Sequence, residues 1–222
     1  MIARMKSASL CSDAPGDPRV TFPKIAELID YLASLNGRAD LGVLSKMLGE
    51  TSVTRADLEP AVIFGVRGYR RNVIAATPWF ELLALCWRSG HCTPIHDHEG
   101  VSCAFRVVEG TGTEIRFCKT DSGLICPVGA VPMPPGYVCA AMDADIHQVA
   151  NMQGPGVDLI TLHCYSPRIT KMNTYKMGSS EGAECGAVYR EMIAPCAEAG
   201  KPAVKRGTSL RAGASRRTTK RR

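Results

Sequence analysis

The sequence predicts a mainly β protein, a barrel preceded by a small helical cap. Three observations carry that expectation. After Pro60, short runs of β-forming residues recur at roughly ten-residue steps, with turn residues between most of them. Before Pro60, apolar residues recur at three- and four-residue steps, the period of a helix. The chain shows neither strand–helix–strand alternation nor an internal repeat, which disfavours doubly wound and (β/α)8 architectures.

The elements follow in order. Residues 1–20 are rich in Ser, Ala, Asp, Gly and Pro and are expected to be loose. In residues 24–35, Ile25, Leu28, Ile29, Leu32 and Leu35 make one apolar stripe. Asn36-Gly37 can end that helix, with Gly free to take the left-handed cap. Residues 40–48 carry a second stripe of Leu41, Leu44 and Leu48, with Gly49 as its stop. A third helix is expected near Thr54, with Asp57 in its first turn. Predicted strands then cover residues 61–64, 69–75, 80–87, 101–108, 113–117, 137–141 and 157–165. The stretch 175–196 is polar and mixed, with one short helix expected at 188–193.

Length and charge bound the organisation. A chain of 222 residues suits one domain with tails, read as a flexible segment 1–20, a domain 21–198 and a tail 199–222. The net charge of +6 misleads: residues 199–222 hold nine Lys or Arg and no acid, so the remainder carries −3. The tail has almost no large apolar side chain and is expected to be disordered. It lacks aromatic interleaving, so nucleic acid is an unfavoured partner. No apolar run approaches the ~18 residues of a membrane span. No apolar stretch follows Met1-Ile2-Ala3-Arg4-Met5-Lys6, so a signal peptide is not expected either. A cytoplasmic monomer is the expectation. The ten cysteines are scattered without a CxxC pair, which reads as reduced, mostly buried thiols rather than a disulfide framework or zinc ribbon.

The histidines carry the functional signal. There are five: His91, His96, His98, His147 and His163. His96 and His98 are separated by Asp97 alone, and positions i and i+2 of a strand share a face. Both rings can then reach one point inside a barrel. His147, beside a later β-like run, is the candidate third ligand for iron, zinc, copper or nickel. Gly90 and Gly110 flank the pair at places where tight turns are needed.

These residues resemble the cupin pattern of Gly, five residues, His-x-His, three or four residues, Glu, six residues, Gly. The match runs from Gly90 through His96 and His98 to Gly110, with Cys103 at the expected Glu. A second cupin motif is matched by Gly136, His147 and Asn151, with Met142 and Ala144 where Pro and Gly are usual. Three neutral imidazoles leave a divalent metal its full +2 charge, which favours anionic ligands such as a thiolate. The Cys for Glu change, and the run Cys86-Trp87-Arg88-Ser89-Gly90-His91-Cys92-Thr93-Pro94-Ile95-His96-Asp97-His98, resemble the cysteine dioxygenases, thiol dioxygenases of the cupin superfamily. The resemblance spans about 100 residues, 69–167.

That resemblance implies roles. His96, His98 and His147 look like the three ligands of Fe(II). Arg71 matches the arginine that holds a substrate carboxylate; it shares strand parity with Tyr69, which resembles another pocket residue, whereas Arg70 faces away. Thr161, His163 and Tyr165 alternate along one strand and resemble the family's Ser-His-Tyr relay, with Thr for Ser. Cys103 and Tyr165 match a pair that some relatives join by a thioether. The implied reaction is L-cysteine and O2 to cysteine sulfinic acid. Rival expectations are a dioxygenase of 3-mercaptopropionate, a zinc or nickel cupin, and a non-enzymatic metal-binding cupin. Enzymes resembling the 3-mercaptopropionate subgroup tend to carry Gln at the position of Arg71. Arg168 after Tyr165-Ser166-Pro167, where a second Pro is usual, departs from the pattern near the site.

Overall fold

Strands that are apolar on both faces organise the molecule, a computed structural model that describes residues 10–178 and 183–184. The strands are β1 (Arg70–Thr77), β2 (Phe80–Trp87), β3 (Ile95–Glu109), β4 (Gly112–Lys119), β5 (Ile125–Met133), β6 (Val138–Ala150), β7 (Leu159–Ser166), β8 (Asn173–Tyr175) and β9 (Ala183–Glu184). Their hydrogen-bonded order is β1-β2-β7-β3-β6-β4-β5, with β8 on β3 and β9 on β8. All these pairings are antiparallel. β7 enters between β2 and β3, and β6 between β3 and β4, so distant segments interleave in the jelly-roll manner of a cupin barrel.

Alternation along β2 and β7 divides the core in two. Leu82, Ala84 and Cys86 of β2 join Ile160, Leu162 and Cys164 of β7 beneath the helices. Leu83, Leu85 and Trp87 point the other way, with Leu159 and Tyr165 of β7 and Cys103, Phe105 and Val107 of β3. Both strands are buried on both faces, which is why residues 80–87 read as an almost continuous apolar run.

The cap covers the first face. Helices α1 (Pro18–Thr21), α2 (Ala26–Ala33) and α3 (Leu41–Glu50) bury Leu28, Ile29, Leu32, Leu44 and Leu48 there. The Asp40 carboxylate accepts from the Val43 N–H at 2.8 Å and caps α3, a contact worth about 1 kcal/mol. The predicted helix 24–35 is divided: Pro23–Ile25 is a 3-10 turn and α2 follows. The third helix is the 3-10 segment Ala56–Ala61, where Pro60 prevents α-type continuation.

Other expectations change. Residues 61–64 form no strand; Ala61 ends the 3-10 segment and 62–64 follow it as coil. Of the stretch expected to be loose, residues 1–9 lie outside the described residues. From Leu10 the described chain is attached to β1: Cys11 bridges Ala76, and the Asp13 carboxylate accepts from the Val73 N–H at 2.7 Å. β5 escapes prediction because Pro127, Gly129 and Pro132 interrupt it; it is the sheet's edge strand, where a missing N–H can face away from the ladder. β3 and β6 are longer than predicted and carry the histidines inside the sheet. The expected helix at 188–193 and the basic tail 199–222 lie outside the described residues.

Gly110 shows why the motif needs glycine. Its φ is +76°, and an added Cβ would sit 2.3 Å from the Asp158 carbonyl oxygen.

Cysteine burial gives a first prediction. All eight described cysteines are free thiols. Burial pushes Cys86 and Cys139 up to about 12, and raises Cys103 and Cys164 as well. Cys11, Cys92 and Cys118 are exposed. Brief alkylation of the native protein near pH 8 is expected to mark those three and spare the buried four. Peptide mass mapping checks it, and early labelling of Cys103 would contradict the closed core.

Candidate metal centre and its cavity

β3 and β6 bring three imidazoles to one point. His96 faces His147 directly in the β3–β6 ladder, and His98 follows on the same side of β3. Their ring centroids are 4.7, 4.8 and 4.9 Å apart, and one nitrogen from each lies within 4.8 Å of the others. All three are buried. His96 Nδ1–H donates to the Pro94 carbonyl at 2.9 Å, and His147 Nδ1–H to the Glu114 carboxylate at 2.9 Å. Each of these two rings thereby keeps a lone pair on Nε2.

The donor set fits a divalent transition metal. His147 Nε2 and His98 Nδ1 are buried with no hydrogen-bond partner among the described residues. A buried polar atom left unpaired costs about 1–3 kcal/mol, a cost that coordination of a metal can offset. Burial, with His147 adding to it, lowers His96 to about 3; burial and the neighbouring rings push His98 well down too. Both rings are therefore neutral near pH 7, as ligands must be.

Glu114 on β4 is the functional residue that sequence reading missed. It is fully buried, and its second oxygen accepts from Arg116 Nε at 2.8 Å. Burial by itself would raise this carboxyl; the hydrogen bonds from His147 and Arg116 win and hold it at about 2. An ionised carboxylate behind a ligand histidine fixes its tautomer and makes it more basic. The available signal was an acid within an inward-facing strand, two residues from the arginine that partners it. Glu114→Gln is expected to weaken metal binding by about ten- to a hundredfold, read by competition with a chelator. Unchanged affinity would leave Glu114 a purely structural role.

The other predicted residues converge on the same cavity. Tyr69, Arg71, Cys103, His163 and Tyr165 line it together with the histidine trio. Tyr69 stacks on Trp87 at 4.2 Å and is hydrogen-bonded to Arg71. The Arg71 guanidinium carbon lies 5.2 Å from the centre of the Tyr165 ring. Arg71 also donates through Nη2 to Glu81 at 2.6 Å, a buried ion pair that the sequence reading did not include. Arg168 joins it, with its Nε 3.4 Å from the other Glu81 oxygen.

One hydrogen-bonded line supports Tyr165. Trp87 Nε1–H donates to Thr161 Oγ1 at 3.0 Å, Thr161 meets His163 Nε2 at 2.9 Å, and His163 Nδ1 meets the Tyr165 oxygen at 3.0 Å. With Trp87 supplying one proton to Thr161, the hydroxyl donates its own to His163 Nε2. His163 then carries its proton on Nδ1 and donates to Tyr165, which leaves the phenol O–H to point elsewhere. Burial, with Cys103 adding to it, raises Tyr165 well above the usual phenol range, so that proton stays on. Cys103 stands opposite Tyr165 in the β3–β7 ladder, as neighbours on one face.

Two further residues separate cleanly from the cavity wall. His91, the fifth histidine, sits in the β2–β3 loop, where its Nδ1 accepts from the Arg88 N–H at 3.0 Å. Asp97, between the paired ligands, faces away and accepts from the Tyr175 hydroxyl at 2.5 Å and from Asn173 Nδ2 at 3.1 Å. β8 is thus strapped to the ligand-bearing end of β3.

A cupin barrel with three buried histidines on one cavity, faced by an arginine and a tyrosine, has the donor set of a metal-binding cupin. Residues 23–178 match the family model for cysteine dioxygenase type I, and the chain belongs to that family. It is 29% identical over 112 residues to cysteine dioxygenase type 1 of Danio rerio, covering 48% of this chain and 55% of the relative. It is 30% identical over 105 residues to cysteine dioxygenase type 1 of Homo sapiens, covering 45% and 51%. The chain thus spans about half the length of the curated relatives it matches. Among solved structures, a conserved protein with a double-stranded β-helix domain from Klebsiella pneumoniae overlaps at TM-score 0.39 and 16% identity, over 57% of this chain and 92% of that one. Among the described residues no helix is long and apolar enough to cross a membrane.

Proposed function

We propose that this protein is an Fe(II)-dependent thiol dioxygenase that converts L-cysteine and O2 to cysteine sulfinic acid. The observation that carries this reading is the placement of Arg71 and Tyr165 in one cavity with His96, His98 and His147. Ferrous iron on the three imidazoles would supply redox chemistry that joins a thiolate to dioxygen, both oxygen atoms ending on sulfur. The thiol hydrogen is retained in the sulfinic acid, so no reductant or organic cofactor is needed.

The chain's own residues perform the binding. Arg71 presents a guanidinium to the substrate carboxylate in a water-poor pocket, where a charge-assisted pair is strong. The Tyr165 O–H, kept protonated and aimed by His163, donates to the substrate or to the oxygen being transferred. Leu85, Phe105 and Val149 line the same cavity and exclude water from the reacting thiol. Cys103 and Tyr165, ladder neighbours, are the candidate pair for a thioether, whose C–S bond would replace the Cys103 S–H and one Tyr165 ring C–H, the two protons and two electrons passing to O2. Eight described cysteines without a disulfide accord with a reducing, cytoplasmic setting, and a monomer is the proposed working form.

Oxygen uptake by iron-loaded protein tests the reading, with L-cysteine and 3-mercaptopropionate in parallel and products weighed by mass. Uptake with L-cysteine and a gain of two oxygens is the expected result. Uptake with 3-mercaptopropionate alone would overturn the substrate assignment, and none with either would overturn the reaction.

A further inference from the structure

Behind the cavity wall, one carboxylate is shared by two arginines. Glu81 is a lone acid in the apolar strand β2. Its Oε1 accepts from Arg71 Nη2 at 2.6 Å, and its Oε2 lies 3.4 Å from Arg168 Nε. The Arg71 and Glu81 side chains are 3% and 2% exposed, whereas that of Arg168 is 42% exposed. Position on the sheet keeps the cluster together. Glu81 pairs with Tyr165 across β2 and β7, and the Arg168 N–H donates to the Pro78 carbonyl in the turn before β2.

The charge balance gives this sharing a consequence. A buried carboxylate facing a single buried arginine cancels its charge, and an incoming anion then gains little from the pair. Arg168 alters the count. Arg71, Arg168 and Glu81, taken as these three groups, sum to a charge of +1, the charge that one carboxylate neutralises. The inner arginine touches the cavity, and the outer one holds the far oxygen of Glu81 from the solvent side.

We propose that Arg168 is a positioning residue that acts through Glu81. By sharing that carboxylate it leaves Arg71 an effective positive charge, and so sets a preference for thiols carrying a single carboxylate. The inference rests on the reading of Arg71 as the substrate's anchor. It assigns Arg168, which departs from the family pattern, to recognition at a distance rather than to contact with substrate.

Steady-state kinetics of the iron-loaded wild type, Arg168→Gln, Arg168→Lys and Arg71→Ala test it. L-Cysteine is the probe, and cysteamine, which lacks the carboxylate, is the control as substrate or competing ligand. Arg168 is partly exposed, so these substitutions leave the core intact. For Arg168→Gln the KM for L-cysteine is expected to rise about tenfold, the effect of one partly screened charge at this range. Its kcat and its cysteamine affinity stay within about twofold, and Arg168→Lys returns the KM towards wild type. An unchanged KM, an equal loss for both thiols, or no rescue by Lys overturns the proposal. If Arg71→Ala raises the L-cysteine KM while Arg168→Gln does not, this inference alone fails. If Arg71→Ala leaves that KM unchanged, the anchor reading fails and the inference with it.

Discussion

His96→Ala is expected to lower bound iron to about a tenth of the wild-type content or less, and turnover by about a thousandfold or more. The physical reason lies in how little else the site offers. The imidazoles form the cluster: the ligand atoms of His96, His98 and His147 lie within 4.8 Å of one another, and the buried carboxylate beside them, Glu114, is already bound to His147 and Arg116. Removing one imidazole leaves two donors. His96 is also the ring aligned by the Pro94 carbonyl, so no neighbour can take its place without moving β3. Metal analysis after anaerobic loading, with oxygen uptake on the same sample, checks the prediction. His91→Ala is the matched control, because His91 lies in a loop and not on the cavity wall. Full iron content in His96→Ala would remove His96 from the ligand set.

The ligand histidines were legible because two short-range rules coincide in them. Alternation puts His96 and His98 on one face, and a glycine motif marks the turns around them. Arg71, Tyr165 and Cys103 were legible through parity and resemblance together, and all line one cavity. What the sequence hid were partners supplied by other strands. Glu114 reaches His147 across the β4–β6 ladder, and no local pattern announces that Arg116↔His147 register. Glu81 was hidden differently. In a strand read as an apolar run, a single acid looks like a solvated position, yet it is 1% exposed because it lies on the inward face of β2, the face of Leu83, Leu85 and Trp87, between β1 and β7. β5 was missed for a local reason, its two prolines, which only an edge position tolerates. Resemblance fixed the kind of site, while long-range register fixed the groups that tune it.

Arg71→Ala gives the sharpest separation of binding from stability. Loss of a buried, hydrogen-bonded partner for a carboxylate costs about 2–5 kcal/mol, so kcat/KM for L-cysteine is expected to fall by about thirtyfold or more. Cysteamine, with no carboxylate, should lose little. The same substitution strips Glu81 of its buried arginine, while Arg168, at its other oxygen, is 42% exposed. The melting temperature should therefore fall too, since an uncompensated buried charge is strongly destabilising. The two losses have different causes and can be uncoupled. Adding Glu81→Gln to Arg71→Ala removes the carboxylate that Arg71 had paired, so stability should recover in large part. Affinity for L-cysteine should not recover, because the guanidinium that met its carboxylate is still missing. Thermal melts and kinetics on the single and double variants check both halves. Recovery of L-cysteine turnover in the double variant would mean that Arg71 serves the fold through Glu81 and that the substrate carboxylate is held elsewhere.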